Sequence, residues 1–324
     1  MPVFDTQAIQ RILTWNQTLQ KEISIQLALP KHAEDIHFSS IADQLCDIIP
    51  GMKITRTEKD RALPGFCLKD NIEFSALPLE KELDPFLESL AYISGSPVDM
   101  DDTIKTLLDR IDIPVHLKLY IALACPHCPS MVRTVIPLAL YCSHIHLQII
   151  DGSLFTEQAR KDNVLSAPTL ILDDDFRWTQ NIDPQEIIRM ITDRDPSQLS
   201  AQTLKTILEQ GDAQWITDQM IKKGIIFDGF LKLILHPTWS VRLGAMVVVE
   251  DLSEKDPELA ASLCPLLIDF FDTQETTVQG DILYALGEAG TEDTAQWIKK
   301  TLASLTHQAL IDAARDALDT LGSK

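Results

Sequence analysis

Two cysteines separated by two residues are the side chains in this sequence best suited to chemistry. Cys125 and Cys128 lie where an extended apolar run, 117–123, gives way to a helical pattern that starts near Met131. The first thiol is therefore predicted at a helix N-terminus, where the helix dipole and free backbone N–H groups favour a thiolate. The spacing brings both sulfurs onto one helical turn, close enough to form a disulfide or to resolve a mixed disulfide. This pattern predicts a redox dithiol, with Cys125 as the attacking nucleophile and Cys128 as the resolving thiol.

The residues around this pair also fit thiol–disulfide exchange. His127 lies between the sulfurs, and we expect it to stabilise the Cys125 thiolate as a cation or N–H donor, although an exposed turn residue is the alternative. Pro126 and His127 together are typical of more oxidising pairs, because they stabilise the reduced form. Pro168 follows the small residue Ala167 and opens a β-rich run. It is predicted to form a cis-proline loop beside the sulfurs that orients the substrate backbone.

Two other interpretations of the cysteine pair are less favoured. Half of a zinc site is one, but no second CxxC or HxxxH follows to complete four ligands, and the other cysteines are isolated: Cys46, Cys67, Cys142 and Cys264. A purely structural disulfide is the other. With only six cysteines, four of them scattered, the chain does not resemble a disulfide-stapled secreted protein. We therefore expect a cycling dithiol without a metal or cofactor.

Length and composition indicate a globular protein of two or three domains. The 324 residues are 45% hydrophobic and 23% charged. The formal charge of -20 argues against nucleic acid or an anionic membrane as a partner, since both need a cationic surface. Residues 1–6 lack a basic region followed by an apolar core, and no apolar run approaches the ~20 residues of a membrane span. A cytoplasmic location is therefore expected.

The segment from Val115 to about Asp195 has the pattern of one small α/β unit. A strand leads through the cysteine pair into a helix that Pro137 should kink, and a second strand and a short helix follow. After the Pro168 loop come two short strands and a closing helix from Pro184. This order of elements is that of a thioredoxin fold.

The first hundred residues repeat the same plan without the thiols. Leu63-Pro64-Gly65-Phe66 parallels the Pro168 loop, and Pro30-Lys31-His32 stands where the cysteine pair would lie, so this half is predicted to be redox-inactive. We call residues 1–97 the silent half and residues 98–196 the active half. The predicted domains are these two thioredoxin-like folds and a third domain at 197–324.

Beyond about Ser197 the pattern is helical throughout. Segments 241–246, 278–283 and 310–315 align at intervals of about 30–40 residues, with a helix between each pair. Stacked helix pairs of this period indicate an α-solenoid that resembles HEAT repeats. Such a tail predicts a protein-docking surface, whereas a stabilising cap or a dimerisation element fits the same pattern. The predicted fold class is thus α/β plus all-α, with two tandem thioredoxin-like folds followed by a HEAT-like α-solenoid.

Residues 9–191 resemble a known family, the N-terminal domain of the alkyl hydroperoxide reductase flavoprotein subunit, which is a tandem pair of thioredoxin folds. They resemble more distantly the glutaredoxin-like protein disulfide oxidoreductases of thermophiles. The stretches that carry the resemblance are 63–66, 74–79, 120–129, 150–155 and 162–168. In that family the domain relays electrons from a flavin module to a peroxidase. The resemblance implies that Glu82, in the silent half, accepts the proton of the second thiol; a solvated residue at a charged helix start is the alternative.

These features predict a thiol–disulfide oxidoreductase that acts on protein disulfides. No Gly-rich dinucleotide motif follows residue 195, so we expect a separate thioredoxin-reductase-like flavoprotein as electron donor. The resemblance implies a peroxiredoxin-like or other disulfide protein as acceptor and favours a reductase, whereas the Pro-His dipeptide favours an oxidant. The alternative function is a redox-sensing docking protein, in which the state of the dithiol controls partner binding by the HEAT-like tail.

Overall fold

The computed structural model describes residues 3–19, 21–30, 36–58, 63–173, 176–179 and 182–323. Contacts between residues divide the chain into two compact units, Met1–Asp193 and Arg194–Lys324. The first unit contains both predicted thioredoxin-like halves, and the second contains the predicted solenoid.

The first unit alternates helices and strands in two similar series. The silent half contains α1 (Thr6–Asn16), β1 (Ile23–Leu29), α2 (Ile36–Ile48), β2 (Met52–Glu58), β3 (Gly65–Lys69), β4 (Ile72–Ser75) and α3 (Leu83–Ile93). The active half contains α4 (Asp102–Leu108), β5 (Val115–Ile121), α5 (Cys128–Tyr141), β6 (Ile145–Asp151), α6 (Thr156–Lys161), β7 (Thr169–Leu172), β8 (Phe176–Trp178) and α7 (Pro184–Thr192).

All eight strands belong to one sheet, in the order β2-β1-β3-β4-β6-β5-β7-β8. In each half the first two strands run parallel, and the first strand also pairs antiparallel with the third, which forms an antiparallel pair with the fourth. The halves join where β4 and β6 pair in parallel, with Phe74 opposite Ile149. The repeated plan of the sequence therefore corresponds to two equivalent four-stranded halves of one continuous sheet.

A single apolar core extends through both halves of this sheet. In the silent half the rings of Phe66 and Phe74 lie 5.4 and 5.2 Å from that of Phe86 on α3. The same core includes Val132 and Val135 of α5, because α3 packs against α5. The helix that follows the cysteine pair is consequently fixed against the silent half as well as against its own strands.

The second unit consists of helices in the part of the chain that the structure describes. They are α8 (Ala201–Glu209), α9 (Ala213–Lys223), α10 (Asp228–Ile234), α11 (Trp239–Lys255), α12 (Pro257–Ala261), α13 (Leu263–Phe270), α14 (Thr276–Ala289), α15 (Glu292–Leu302) and α16 (Gln308–Gly322), with 3₁₀ turns at Pro196–Gln198 and Phe271–Thr273. The three segments aligned in the sequence fall on α11, α14 and α16, and α14 packs against both of the others. The HEAT-like solenoid itself stays a prediction.

Two contacts fix this stack of helices. The buried guanidinium of Arg242 on α11 reaches Asp281 on α14, with Nε 2.5 Å from Oδ2, and donates to the carbonyls of His236 and Pro237. A Cβ placed on Gly287 of α14 would lie 2.9 Å from the Cα of Ala317 on α16. The absence of a side chain at Gly287 therefore permits the two helix backbones to approach closely.

Candidate functional site

The turn between β5 and α5 places the two thiols at one edge of the sheet. Helix α5 begins at Cys128, with His127 as its N-cap, so Cys125 lies just before the helix. The backbone N–H of Cys128 donates to the sulfur of Cys125, with an N···Sγ distance of 3.2 Å. One of the N–H groups that the helix leaves without an internal acceptor thus points at the first sulfur, where it stabilises negative charge.

The two sulfurs differ sharply in their access to solvent. Cys125 is partly exposed, whereas Cys128 is 0% exposed. Burial raises the pKa of the Cys128 thiol above its ordinary value, and its hydrogen bond with Cys125 and the nearby charge of Glu82 raise it further. An external disulfide can therefore reach Cys125, while Cys128 is shielded and stays protonated at neutral pH.

The two residues between the cysteines are exposed. His127 has helical backbone angles at the N-cap, and its ring makes no capping hydrogen bond to the described N–H groups of α5. Pro126 lies beside it at the surface. Their predicted influence on the Cys125 thiolate stays a prediction.

The loop before β7 lies against the first sulfur. The Ala167–Pro168 peptide bond is cis, and the Cys125 thiol donates to the carbonyl of Ala167, with an Sγ···O distance of 3.5 Å. Antiparallel pairing of Tyr120 with Thr169 brings the loop to the edge of the sheet where β5 ends. A substrate backbone at this loop would meet the exposed face of Cys125.

Glu82 is fully buried, at 0% exposure, immediately before α3. Neither of its carboxylate oxygens has a hydrogen-bond partner among the described residues. Burial raises the pKa of Glu82 to about 7; Arg133 opposes this shift and Asp151 adds to it. The interpretation of Glu82 as a solvated residue at a charged helix start is therefore wrong.

Contacts between the halves explain how a residue of the silent half reaches the dithiol. Lys81, next to Glu82, donates from Nζ to the carbonyl of Ala124 at 3.0 Å. Arg133 on α5 forms two hydrogen bonds with Glu88 on α3, at 2.6 and 2.7 Å. The resulting proximity is electrostatic as well as structural, since the charge of Glu82 contributes to the raised pKa of Cys128. Sequence inspection assigned no role to Lys81, Glu88 or Arg133, because no spacing rule relates residues of two separate halves.

Asp151 forms the turn at the end of β6. Its buried carboxylate accepts from the backbone N–H groups of Ser153 and Leu154, at 2.8 and 3.2 Å. It is the second carboxylate that influences Glu82. The Asp-Gly stretch that the sequence singled out thus shapes the loop next to the cysteine turn.

Some predictions concern features that the structure describes only in part. Pro30 is described, whereas Lys31 and His32, which stand in place of the cysteine pair in the silent half, lie outside the described residues. Within the described ranges no cluster of three or more His, Cys, Asp or Glu side chains is arranged to hold a metal ion. No helix in those same ranges is both long and apolar enough to cross a membrane.

Comparison with known protein families gives no matching family model. Among curated proteins, the chain is 21% identical over 274 residues to an NADH dehydrogenase of Bacillus subtilis, covering 81% of this chain and 53% of that protein. It is 23% identical over 161 residues to the alkyl hydroperoxide reductase protein AhpF of Pseudomonas aeruginosa, covering 47% of this chain and 31% of that protein. The chain therefore spans about half or less of the length of the curated relatives it matches.

Two solved structures are similar in fold. One is the NTD_N/C domain of the alkyl hydroperoxide reductase AhpF from Enterococcus faecalis, with 17% identity and a TM-score of 0.50, covering 58% of this chain and 99% of that one. The other is a protein disulfide oxidoreductase from Aeropyrum pernix, with 12% identity and a TM-score of 0.51, covering 59% and 94%. The predicted resemblance of the N-terminal region to these thioredoxin-like proteins is thereby confirmed at the level of fold.

Proposed function

We propose that this protein is a thiol–disulfide oxidoreductase that exchanges electrons with protein disulfides through Cys125 and Cys128. The observation that carries the proposal is the asymmetry of the two sulfurs. Cys125 is accessible and lies between a helix N–H donor and the carbonyl before Pro168. Cys128 is buried and held protonated beside a carboxylate that can accept a proton. This asymmetry is what a nucleophile and a resolving thiol require.

The reaction proceeds in two exchange steps. The Cys125 thiolate attacks one sulfur of the substrate disulfide, a mixed disulfide forms, and the other substrate sulfur leaves as a thiolate. Cys128 then gives its proton to Glu82 and attacks the Cys125 sulfur, which releases the second substrate thiol. Two electrons pass to the substrate, and the protein is left with a Cys125–Cys128 disulfide. The opposite direction uses the same steps in reverse.

A carboxylate with a pKa of about 7 suits this task. Glu82 is ionised in a large fraction of molecules at neutral pH, yet it is basic enough to accept a proton from a buried thiol. An ordinary exposed carboxylate would hold the proton about a hundredfold less well at that pH. The raised pKa is therefore the property that supports Glu82 as the proton acceptor.

Cysteine variants test the proposal directly. We expect Cys125→Ser to abolish exchange and Cys128→Ser to accumulate a mixed disulfide with the substrate, while Cys142→Ser, at a buried thiol of α5's C-cap, leaves both steps intact. Mass spectrometry of the trapped species identifies both the cysteine and the bound protein. Alkylation of Cys128 ahead of Cys125 at neutral pH would reverse the assignment of roles.

We further propose that a separate thioredoxin-reductase-like flavoprotein supplies the electrons and that a peroxiredoxin-like or other disulfide protein receives them, in the cytoplasm. The redox names of the curated relatives support this assignment. Reconstitution with purified reductase, pyridine nucleotide and a peroxiredoxin tests it, since turnover requires all three components.

A second candidate function, a redox-sensing docking protein, is favoured by one observation on the second unit. Trp239, Leu243 and Val247 follow one another by a helical turn on α11 and are 60%, 44% and 46% exposed. An exposed apolar stripe of this kind is suited to a protein partner. Turnover separates the two functions, because a sensor changes its affinity for the partner with the state of the dithiol and does not catalyse repeated exchange.

A further inference from the structure

Leu165 is an exposed apolar residue next to the reactive thiol. Its side chain is 98% exposed, whereas the other large apolar side chains that stand out as exposed in the described residues range from 40% to 60%. Exposed single leucines are common on protein surfaces, so exposure alone does not indicate a function. The position of Leu165 and the rigidity of its loop are what distinguish it.

Sheet pairing places Leu165 beside Cys125. The carbonyl of Ala167 lies 3.5 Å from the Cys125 sulfur. Leu165 precedes Ala167 by two residues, and since consecutive Cα atoms are about 3.8 Å apart, its Cα lies within about 8 Å of the Cα of Ala167. The leucine is therefore within one residue's reach of any group bonded to the Cys125 sulfur.

The loop is fixed on both sides of Leu165. Before it, the carboxylate of Asp162 accepts from the Tyr120 hydroxyl at 2.6 Å and from the Lys118 ammonium at 3.1 Å. Val164 packs on a small apolar cluster around Tyr120. After it, the hydroxyl of Thr169 donates to the carbonyl of Ser166 at 2.7 Å. Anchors on both sides hold the leucine in solvent, so that a partner can bury it with little loss of backbone entropy.

A second exposed leucine lies at the same edge of the sheet. Strands β5 and β6 are parallel, so the loop after Asp151 and the turn with Cys125 extend from the same end. Leu154 in that loop is 41% exposed. Two leucines thus border the edge of the sheet that carries the nucleophile.

Resting on the proposed function, we propose that Leu165 determines substrate specificity by contacting an apolar residue next to the disulfide of the protein substrate. In a disulfide the two Cα atoms lie about 4.4–6.8 Å apart, so a mixed disulfide on Cys125 brings the substrate backbone to the loop before Pro168. The neighbour of the substrate cysteine then lies within reach of the Leu165 side chain. Substrates with Leu, Ile, Val or Phe beside the cysteine are those that bury it.

Single-turnover exchange with designed peptides tests this contact. The full chain is reduced, freed of reductant and mixed with a short peptide closed by one disulfide, with leucine on both sides of each cysteine or with serine at the same positions. Cys125 and Cys128 lose two electrons and two protons, and the peptide gains them as two thiols. We expect the leucine peptide to react about ten-fold faster, which corresponds to about 1.4 kcal/mol and to burial of about half a leucine side chain.

Variants assign that preference to the residue. Leu165→Ser should reduce the ratio of the two rates to about two or less, while Leu165→Met retains it. Leu13→Ser, at a leucine 40% exposed on α1, is the matched control and should retain the full ratio. All variants should react equally with bis(2-hydroxyethyl) disulfide, which has no side chain to contact the leucine.

The possible failures are distinguishable. Equal rates for the two peptides in the wild type, or a full ratio in Leu165→Ser, would overturn the role of Leu165 and leave the exchange chemistry standing. Failure of the reduced wild type to react with either peptide and with the small disulfide would overturn the proposed function, and the specificity inference with it.

Discussion

Replacing Glu82 with glutamine should make the protein more stable and less active at the same time. The native fold raises the pKa of this carboxyl from 4.5 to about 7, chiefly because burial removes its solvation. Since the folded state binds the proton more tightly than the unfolded chain, stability falls as pH rises from 4.5 through 7. At 1.36 kcal/mol per pKa unit, the cost of the ionised carboxylate above pH 7 is about 3 kcal/mol.

Glutamine has the shape of the protonated acid and carries no charge. We therefore expect Glu82→Gln to raise the free energy of unfolding by up to about 3 kcal/mol at pH 8 and by little at pH 4.5. Urea denaturation at both pH values measures this difference. Glu80→Gln, an exposed neighbour with the same change of charge, is the control and should shift stability by at most about 0.5 kcal/mol at either pH.

The same variant should slow resolution of the mixed disulfide by about 10-fold or more, because general acid–base groups typically contribute 10²–10⁴-fold. In the wild type this step should accelerate as pH rises through about 7, the pKa of Glu82, and the variant should lose that inflection. Rapid-quench alkylation after mixing with a disulfide follows the step. A stability gain no larger than that of Glu80→Gln would refute the buried, ionising carboxylate, and an unchanged rate would refute its role as proton acceptor.

Three further predictions concern the rest of the molecule. Arg242→Ala should destabilise the second unit by about 3–5 kcal/mol in urea denaturation, because Asp281 is left without its buried partner, whereas exposed Arg315→Ala should cost about 0.5 kcal/mol or less. Gly287→Val should cost about 1–3 kcal/mol in the same assay, since its Cβ would meet the backbone of α16. A chain that ends near Asp193, the boundary of the first compact unit, should fold by circular dichroism and retain exchange with a small disulfide; loss of that activity in a folded chain would contradict a docking role for the tail.

Local sequence patterns predicted much of the first unit. The strand before Cys125, the short helix at Thr156–Lys161 and the loop at Pro168 were all predicted from apolar periodicity and turn residues, and the structure contains them. Periodicity works here because each strand or helix buries one face against the same core. The spacing of the cysteines likewise indicated their chemistry, since two sulfurs one turn apart can interact whatever surrounds the turn.

Tertiary structure decided which residues surround those sulfurs. In the sequence, Glu82 stands among charged neighbours at a helix start, and only the packing of α3 against α5 removes it from water. Leu165 has the composition of a core residue, yet the anchored loop holds it in solvent. Burial is a property of the surfaces that meet across the fold, and periodicity along the chain does not specify which surfaces meet. The type of chemistry is thus set by local spacing, while proton transfer and substrate contact depend on the joining of the two halves at β4 and β6 and on the loop before β7.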